Sequence, residues 1–515
     1  MIQIPVLDAA QAASWDEYAR VEAGIPSRVL MDAAGRAAAL VVAREFADRL
    51  GDGVLVAAGH GNNGGDGWVV ARALVATGVR VWAVDEERER SDDCEANRRL
   101  ALEAGVTRLG PGDEWPVVGV LVDAVLGTGA SGPPRGAAGQ IARHIADSAA
   151  PVAAIDGPTG LDLTTGEAHG PVRAQLTLTF GGVRRGHLLA RDLCGRVVVV
   201  DIGFPEPSAE WPTLVTDGWA RTVLPRFEAA MHKGDRGRVL VVGGDHGMAG
   251  AAIHAASAAF AVGAGLVKVA AHEVTVAAAQ KRLPDALTTQ TALGPGIEES
   301  LEESLGWADA VVLGPGMGRG KDRSAFVGAL LASVDSPAVI DADALHVGLD
   351  ALNAGAAPRV FTPHPGEFRS VFPDLAGDMD HDRFAAAESA AAAAQSRGAA
   401  PVILLKGVPT VIAQSGGDTR VVASGNPALA TGGSGDLLAG FIGAFLARGM
   451  PPGDAAALGA HVLGRAAEVA AASHGVRSTR PADVVAAVEV LWKELARDAI
   501  HAPPVLVELK PPALV

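Results

Sequence analysis

The chain has 515 residues, a hydrophobic content of 49% and 64 glycines, enough for two buried cores joined by many turns. Its formal net charge of -16 disfavours nucleic acid or anionic membranes as general partners, because binding to either needs clustered Lys and Arg. With only Cys94 and Cys194, neither a disulfide framework nor a cysteine-rich zinc site can form. A reducing cytoplasm is expected, and the acidic N-terminal segment predicts no export signal.

The first half of the chain alternates apolar runs with amphipathic segments. Two predicted helices come first, and apolar runs then cover residues 54–59, 79–84, 118–127 and 152–160. Continuous apolar strands separated by helices are typical of a parallel sheet covered on both faces. We therefore predict a Rossmann-like, doubly wound α/β domain over residues 1–219.

A proline cluster at residues 204–212 precedes a second alternation of strands and helices. This pattern predicts a second α/β domain over residues 220–500 and a Pro-rich, extended tail over residues 501–515, to which we assign no function. The predicted strands of the second domain lie within residues 238–244, 310–318, 337–345, 359–368 and 401–413.

The run from Met248 to Val267 carries no Asp, Glu, Lys or Arg and is long enough to span a membrane. It is mostly Ala and Gly, contains His254 and breaks at Gly263 before a β-like segment. We therefore predict a buried helix followed by a strand.

A glycine-rich segment, GHGNNGGDG at residues 59–67, follows a predicted strand and leads into a helix that we expect to begin near Gly67. Backbone amides at such a helix N-terminus can surround a phosphate. The alternative is a tight strand-to-helix turn without a ligand. Asn62 and Asp66 add polar side chains that a bare turn does not need.

Two further strands of the first domain end in polar loops, at Asp123–Gly132 and at Ile155–Gly160. Loops at the carboxyl ends of neighbouring strands converge on one crevice in doubly wound sheets. Taken alone, Asp123 would more often be a structural hydrogen-bond hub than a ligand. Together with Asn63 and Thr159 it offers hard oxygen ligands suited to a hard cation.

The first domain resembles the NAD(P)H-hydrate epimerase family through LMDAAG at 30–35, GNNGGDG at 61–67, DAVLGTG at 123–129 and TFGGVRRGHL at 179–188. The resemblance implies potassium at Asn63, Asp123 and Thr159. It also implies that the hydrated dinucleotide contacts Asn62, Asn63, Gly64, Gly65, Asp66, Gly127, Thr128, Gly129, Ala130, Ser131, Gly132, Pro133 and Asp156.

Epimerisation of the hydrate needs reversible loss of a hydroxyl on the ring carbon beside nitrogen. A carboxyl such as Asp156 is expected to act first as general acid and then as base. The sequence departs from the family where Asp156-Gly157-Pro158-Thr159 replaces the usual aspartate, branched residue, proline and serine. Thr159 keeps the hydroxyl, so the expected cation site is retained.

A second glycine-rich stretch, Gly432–Gly435, stands directly before Asp436 and an apolar helical pattern. The glycine amides at a helix N-terminus can hold a phosphoryl group in transfer. Asp436 then stands where a base could take the proton of an attacking hydroxyl. The alternative is that Asp436 only caps the helix.

The second domain resembles the ribokinase-like superfamily and, within it, the NAD(P)H-hydrate dehydratases. The motifs are HKGDRGRVLVVGG at 232–244, GAGLVKV at 263–269, LGPGMG at 313–318, IDADAL at 340–345, TPHPGEF at 362–368 and LLKGVPTVI at 404–412. The resemblance implies hydrate contacts at Ala252, Gly318, His364 and Asp436. It also implies a nucleotide with magnesium at Lys406, Gly407, Val408, Pro409, Thr410, Gly432, Gly433, Ser434 and Gly435.

The nucleotide is ADP in bacterial fused members of this family and ATP in eukaryotic relatives. Phosphorylation of the ring hydroxyl converts hydroxide into phosphate, a better leaving group that the ring nitrogen can expel. Met248 stands where the family carries an aromatic residue, so a stacking contact is expected to be missing. Asp341 and Asp343 could approach magnesium or brace loops, and they are left unassigned.

Together the domains resemble the bifunctional NAD(P)H-hydrate repair enzymes. The expected function is interconversion of R and S hydrates followed by ADP-dependent dehydration of the S form to NAD(P)H, AMP and phosphate, in a homo-oligomer. One alternative is a ribokinase-like small-molecule kinase with a dinucleotide-binding regulatory domain. Another is a noncatalytic dinucleotide sensor.

Overall fold

The computed structural model describes residues 3–395, 400–497 and 502–513. The chain forms two compact units, one of residues 3–214 together with 502–512 and the other of residues 215–497. The sequence places the boundary near residue 220 and separates a tail after residue 500. In the structure, the end of the chain instead returns to the first unit.

The first unit is built on a sheet whose neighbouring strands run in the order β9-β7-β6-β5-β2-β3-β4, all of them parallel. The order reverses between β2 and β5, which is the switch point where ligands bind in such sheets. Residues 3–214 contain the strands β1 (Val6–Leu7), β2 (Val54–Ala58), β3 (Val81–Val84), β4 (Thr107–Leu109), β5 (Val120–Ala124), β6 (Val152–Ile155), β7 (Leu176–Phe180), β8 (Val183–Arg184), β9 (Arg196–Val200) and β10 (Thr213–Leu214). Of these, β1, β8 and β10 lie outside this sheet.

Helices cover both faces of this sheet. Val54 and Val56 of β2 belong to one apolar cluster, whereas Leu55 and Ala57 belong to another on the opposite face. The alternation follows from the two-residue repeat of a strand and confirms the doubly wound prediction. The helices are α1 (Ala9–Val21), α2 (Ser27–Glu45), α3 (Asn62–Val75), α4 (Asp92–Glu103), α5 (Gly136–Asp147), α6 (Arg185–Leu189) and α7 (Arg191–Cys194).

The second unit has a larger sheet with the order β19-β18-β17-β16-β15-β14-β11-β12-β13. Its strands are parallel except that β18 is antiparallel to both β17 and β19. The strands are β11 (Arg238–Val242), β12 (Leu266–Ala271), β13 (Leu287–Gln290), β14 (Ala310–Leu313), β15 (Ala338–Ile340), β16 (Arg359–Phe361), β17 (Val402–Leu405), β18 (Thr410–Gln414) and β19 (Arg420–Val422).

Close packing fixes the position of a long helix of the second unit, α17 (Ser434–Ala447), against α9 (Ala249–Ala261). A Cβ on Gly440 of this helix would lie 2.1 Å from the carbonyl oxygen of Ala255 on α9, so the close approach requires glycine. The helices are α8 (Asp217–Val223), α9 (Ala249–Ala261), α10 (Glu273–Arg282), α11 (Glu299–Trp307), α12 (Lys321–Ser333), α13 (Leu349–Leu352), α14 (Pro365–Val371), α15 (Ala376–His381), α16 (Arg383–Ala393), α17 (Ser434–Ala447), α18 (Pro452–His474) and α19 (Pro481–Leu495).

The uncharged run near residue 250 forms α9 and then β12, as predicted. Among the described residues, no helix combines the length and the apolar character needed to cross a membrane.

The C-terminal segment forms a last strand, β20 (Val505–Leu509), which pairs antiparallel with β9 of the first unit. Val505 and Val507 are buried there, and the backbone N–H of Asp201 donates to the carbonyl of Pro504 at 2.8 Å. The tail that we expect as an extended arm therefore covers an edge that β9 would otherwise expose.

Candidate active sites

A cavity of 580 Å³ lies at the switch point of the first sheet. All three loops predicted to converge contribute to its lining: Asn62, Asn63 and Asp66 after β2, Gly127, Thr128, Gly129 and Ala130 after β5, and Asp156 after β6. Gly64, Gly65, Ser131, Gly132 and Pro133 are not among its lining residues.

Helix α3 begins at Asn62, so the expectation of a helix start near Gly67 is wrong. The glycines form the first turn of the helix instead of a loop before it. A Cβ on Gly64 would lie 1.9 Å from the carbonyl oxygen of Gly59, and one on Gly65 would lie 2.6 Å from the Met31 side chain. The two glycines thus serve close packing, while Asn62 faces the cavity.

Asp156 is held firmly in this cavity. Its backbone has a φ of 63°, a conformation that is uncommon outside glycine. Its Oδ2 accepts hydrogen bonds from the backbone N–H and the hydroxyl of Thr128, both at 2.6 Å, and Oδ1 lies 3.5 Å from a guanidinium nitrogen of Arg184. Burial would raise the pKa of Asp156, but Arg184 and the Thr128 hydrogen bonds hold that pKa below its ordinary value.

His187 supports the backbone of Asp156. Its Nδ1 accepts a hydrogen bond from the backbone N–H of Arg184 at 3.1 Å, which leaves Nε2 to donate to the carbonyl of Asp156 at 2.7 Å. Burial lowers the pKa of His187 to about 4, so the ring is neutral. Our sequence reasoning assigned no role to Arg184 or His187, although both lie in the TFGGVRRGHL motif.

Asp66 is the second carboxyl group of this cavity. Burial, reinforced by the negative charges of Asp156 and Asp16, raises the pKa of Asp66 well above its ordinary value. Asp66 therefore holds its proton to a higher pH than Asp156 does. Two carboxyl groups whose pKa values are pushed apart in one site are suited to the separate tasks of acid and base.

The three residues predicted to hold potassium differ in whether their polar side-chain atoms have hydrogen-bond partners. The carboxylate of Asp123 accepts from the Thr159 hydroxyl at 2.7 Å and from the Thr159 backbone N–H at 2.8 Å. The buried amide oxygen and nitrogen of Asn63 have no hydrogen-bond partner in the described parts of the chain. A hard cation is compatible with the chemistry of this set, because the amide oxygen of Asn63 is free to bind one and Asp123 supplies a carboxylate.

The second candidate site lies at the carboxyl ends of β11, β14, β15, β16 and β17, which are neighbours in the sheet. Contacts between the loops that follow these strands bring the site together. The backbone N–H of Gly318 donates to Asp343 at 2.9 Å, and the hydroxyl of Thr362 donates to Asp341 at 2.7 Å. The predicted hydrate residue Ala252 is buried on α9, next to the loop after β11.

Helix α17 begins at this edge of the sheet. Gly433 is the N-cap with a φ of 101°, and Asp436 lies in the first turn without capping it. The Ser434 hydroxyl donates to the carbonyl groups of Leu429 and Thr431, so it braces the loop. Burial, followed by the charge of Asp341, raises the pKa of Asp436 to about 7, which suits a base at neutral pH.

Lys406 follows β17 and lies beside the start of α17. Its Nζ is 2.8 Å from Oδ1 of Asp341 and 3.5 Å from Oε2 of Glu367. Nζ is also 3.5 Å from the position that a Cβ on Gly435 would take. Asp341 is thus part of the site, and Glu367 is a buried member that sequence reasoning missed despite its place in TPHPGEF.

The remaining predicted nucleotide residues form a loop between β17 and β18. Gly407 has a φ of 147°, a conformation that other residues rarely adopt, so glycine is favoured there. Val408 is exposed, and Thr410 begins β18 with its hydroxyl donating to the carbonyl of Gly407. Gly432 faces open space near the other end of this site.

His364 and Met248 lie at the predicted hydrate end. Nδ1 of His364 accepts the backbone N–H groups of Gly366 and Glu367 and caps α14, while the side chain stays half exposed. Met248 takes the place of the expected aromatic ring, with its Cε 3.4 Å from the position that a Cβ on Gly318 would take.

Two family models match the chain, one in each unit. Residues 239–489 match the family model described as NAD(P)H-hydrate dehydratase, and residues 27–186 match that described as YjeF-related protein N-terminus. A bifunctional NAD(P)H-hydrate repair enzyme from Moorella thermoacetica is 35% identical over 93% of this chain and 95% of its own. The chain belongs to this family. The family member from Salinibacter ruber is 38% identical over 93% of this chain and 95% of its own.

Solved structures resemble the second unit. The ADP/ATP-dependent NAD(P)H-hydrate dehydratase from Bacillus subtilis, co-crystallised with ATP and Mg²⁺, is 28% identical, with a TM-score of 0.48 over 54% of this chain and 97% of its own. The predicted membership of the bifunctional repair family is confirmed, and so are the doubly wound α/β fold of the first unit and the α/β class of the second.

Proposed function

We propose that the first unit interconverts the R and S epimers of hydrated NADH and NADPH, and that the second dehydrates the S epimer with ADP to give NAD(P)H, AMP and phosphate. The observation that carries the proposal is the raised pKa of Asp436 directly beside the glycine-rich start of α17. The division at residues 214 and 215 would separate the two activities.

In the first cavity, Asp66 would protonate the leaving hydroxyl and Asp156 would take a proton from the returning water. This replaces the sequence-based expectation that Asp156 acts first as the acid, because Arg184 and Thr128 keep Asp156 ionised. Asn62 and the segment 127–130 would hold the dinucleotide at the cavity wall. Potassium at Asn63, Asp123 and Thr159 would supply positive charge that keeps the loops together.

In the second site, Asp436 would take the proton of the ring hydroxyl as that oxygen attacks the terminal phosphorus of ADP. The amides at the start of α17 and the ammonium of Lys406 would stabilise the charge on the transferring group. The ring nitrogen then expels phosphate, and loss of a proton from the neighbouring ring carbon forms the double bond of the reduced cofactor. Magnesium, carried on the diphosphate, would supply further charge neutralisation.

Contacts of Ala252, Gly318 and His364 with the hydrate, and of residues 406–410 with the nucleotide, are part of this proposal. The proposal also includes a cytoplasmic setting and assembly as a homo-oligomer. The two buried cysteines, which form no disulfide, favour the cytoplasmic setting. Sedimentation of the purified protein tests the assembly.

The function is tested by incubating the purified protein with mixed hydrate epimers, magnesium and either ADP or ATP, while the absorbance of reduced nicotinamide is followed. We expect full recovery of reduced cofactor with ADP and release of AMP. Accumulation of a stable phosphorylated product would favour the small-molecule kinase instead. Binding of the hydrate without turnover would favour the noncatalytic sensor.

A further inference from the structure

Asp341 makes contacts that a loop brace alone would not need. It follows β15 directly and is only 1% exposed. Its Oδ1 accepts hydrogen bonds from the Thr362 hydroxyl at 2.7 Å and from Nζ of Lys406 at 2.8 Å. Its Oδ2 lies 3.5 Å from the position that a Cβ on Gly435 would take, so this oxygen faces the first turn of α17.

The Lys406 ammonium is fixed between two buried carboxylates. Asp341 and Glu367 both contact it, and Glu367 is only 4% exposed. Burial opposes the charge of Lys406, but these two carboxylates keep the pKa of Lys406 above its ordinary value. One ammonium between two carboxylates leaves a net negative charge in a buried place. Burying that charge costs free energy of folding, which points to a functional role for the cluster.

The charges of this cluster act on Asp436. The groups that act on it are Asp341, Asp343 and Lys406. Glu367 contacts Lys406, and His254 of α9 lies near Gly433 at the N-cap of the same helix. Asp341 raises the pKa of Asp436 and Lys406 lowers it, so the buried pair tunes the base from both sides.

We propose that Asp341 is a positioning residue for dehydration, which fixes the Lys406 ammonium at the phosphoryl end of the nucleotide site and places a second negative charge beside Asp436. This inference rests on the proposed dehydratase function. Asp341 touches neither hydrate nor nucleotide in this account; it acts through Lys406 and Asp436.

The test compares Asp341→Asn with the wild type in two measurements: the pH profile of kcat/KM for dehydration, and the Kd for ADP by calorimetry. Without the carboxylate charge, the acid limb of the profile moves to lower pH by about one unit. With the ammonium no longer held in place, its charged contact with the phosphate of ADP is misaligned, and ADP binding weakens on the order of tenfold.

Thr362→Val is the matched control, because it removes a hydrogen bond to Asp341 and leaves the charge in place. Its acid limb stays at the wild-type pH. Lys406→Met provides a second variant that does not depend on the stability of Asp341→Asn. The acid limb of its pH profile moves to higher pH, because the cation that lowers the pKa of Asp436 is gone.

The inference is overturned if a folded Asp341→Asn protein keeps the wild-type acid limb and the wild-type ADP affinity. It is also overturned if Thr362→Val shifts the acid limb as far as Asp341→Asn does, or if Lys406→Met leaves the acid limb at the wild-type pH. Absence of dehydration in the wild type would refute the proposed function itself. Calorimetry would still report the ADP affinities, so the two failures are distinguishable.

Discussion

The pairing of β20 with β9 predicts that the last residues of the chain stabilise the epimerase unit. Val505 and Val507 are 6% and 9% exposed, and replacing both with Ala removes four buried carbon atoms. At ~0.8 kcal/mol for each buried carbon, the free energy of unfolding of this unit falls by about 3 kcal/mol. For a unit of this size, that loss lowers the midpoint of thermal unfolding by roughly 6–12 °C.

The assay is thermal inactivation, with epimer exchange and dehydration measured separately on the same heated samples. Epimer exchange of the double variant is lost at the lower temperature, whereas dehydration is lost at the wild-type temperature. Glu508→Gln is the control, because the Glu508 carboxylate meets Arg44 and Arg196 at partly exposed positions and contributes under ~1 kcal/mol. The role of β20 is refuted if the Val505→Ala, Val507→Ala double variant loses epimer exchange at the same temperature as the wild type.

Four further results are expected. Asp436→Asn abolishes recovery of reduced cofactor but leaves exchange between the hydrate epimers, followed by chromatography, at the wild-type rate. Because the pKa of Asp436 is raised to about 7 and a base must be ionised, wild-type dehydration slows as pH falls through that value; a flat profile across neutral pH contradicts this. Asp123→Ala loosens Thr159 and slows epimer exchange only, and an unchanged exchange rate would remove Asp123 from the site. Asp66→Asn slows exchange on the order of 100-fold in both directions, as expected for loss of a general acid, and full activity would exclude that role.

The sequence predicts the central strands well, because a strand buried on both faces must be apolar throughout. The runs at 54–59, 118–127 and 310–318 contain β2, β5 and β14. Edge strands lack this pattern. β13 reads LTTQ with Leu287 exposed, so it has no apolar run. β20 has a short one, VLVEL, but prolines stand on both sides of it, and these favour an extended arm over a strand.

The start of α3 and the support of the catalytic groups depend on tertiary contacts. Glycines have low helix propensity, and only packing against Gly59 and Met31 shows why α3 begins with them. The convergence of loops on one crevice follows from the order of the strands and is predictable. The contacts of Lys406 with Asp341, 65 residues earlier in the chain, are visible only in the fold.

The most direct test of two consecutive reactions starts from the pure R hydrate with ADP and magnesium, and measures the initial rate at which reduced cofactor appears. Wild-type protein recovers it, whereas Asp156→Ala and Asp436→Asn each fail alone. Mixing these two variants restores recovery, because one supplies the S epimer that the other unit consumes. Rapid recovery by Asp436→Asn alone, or failure of the mixture although both proteins are folded, would contradict the account.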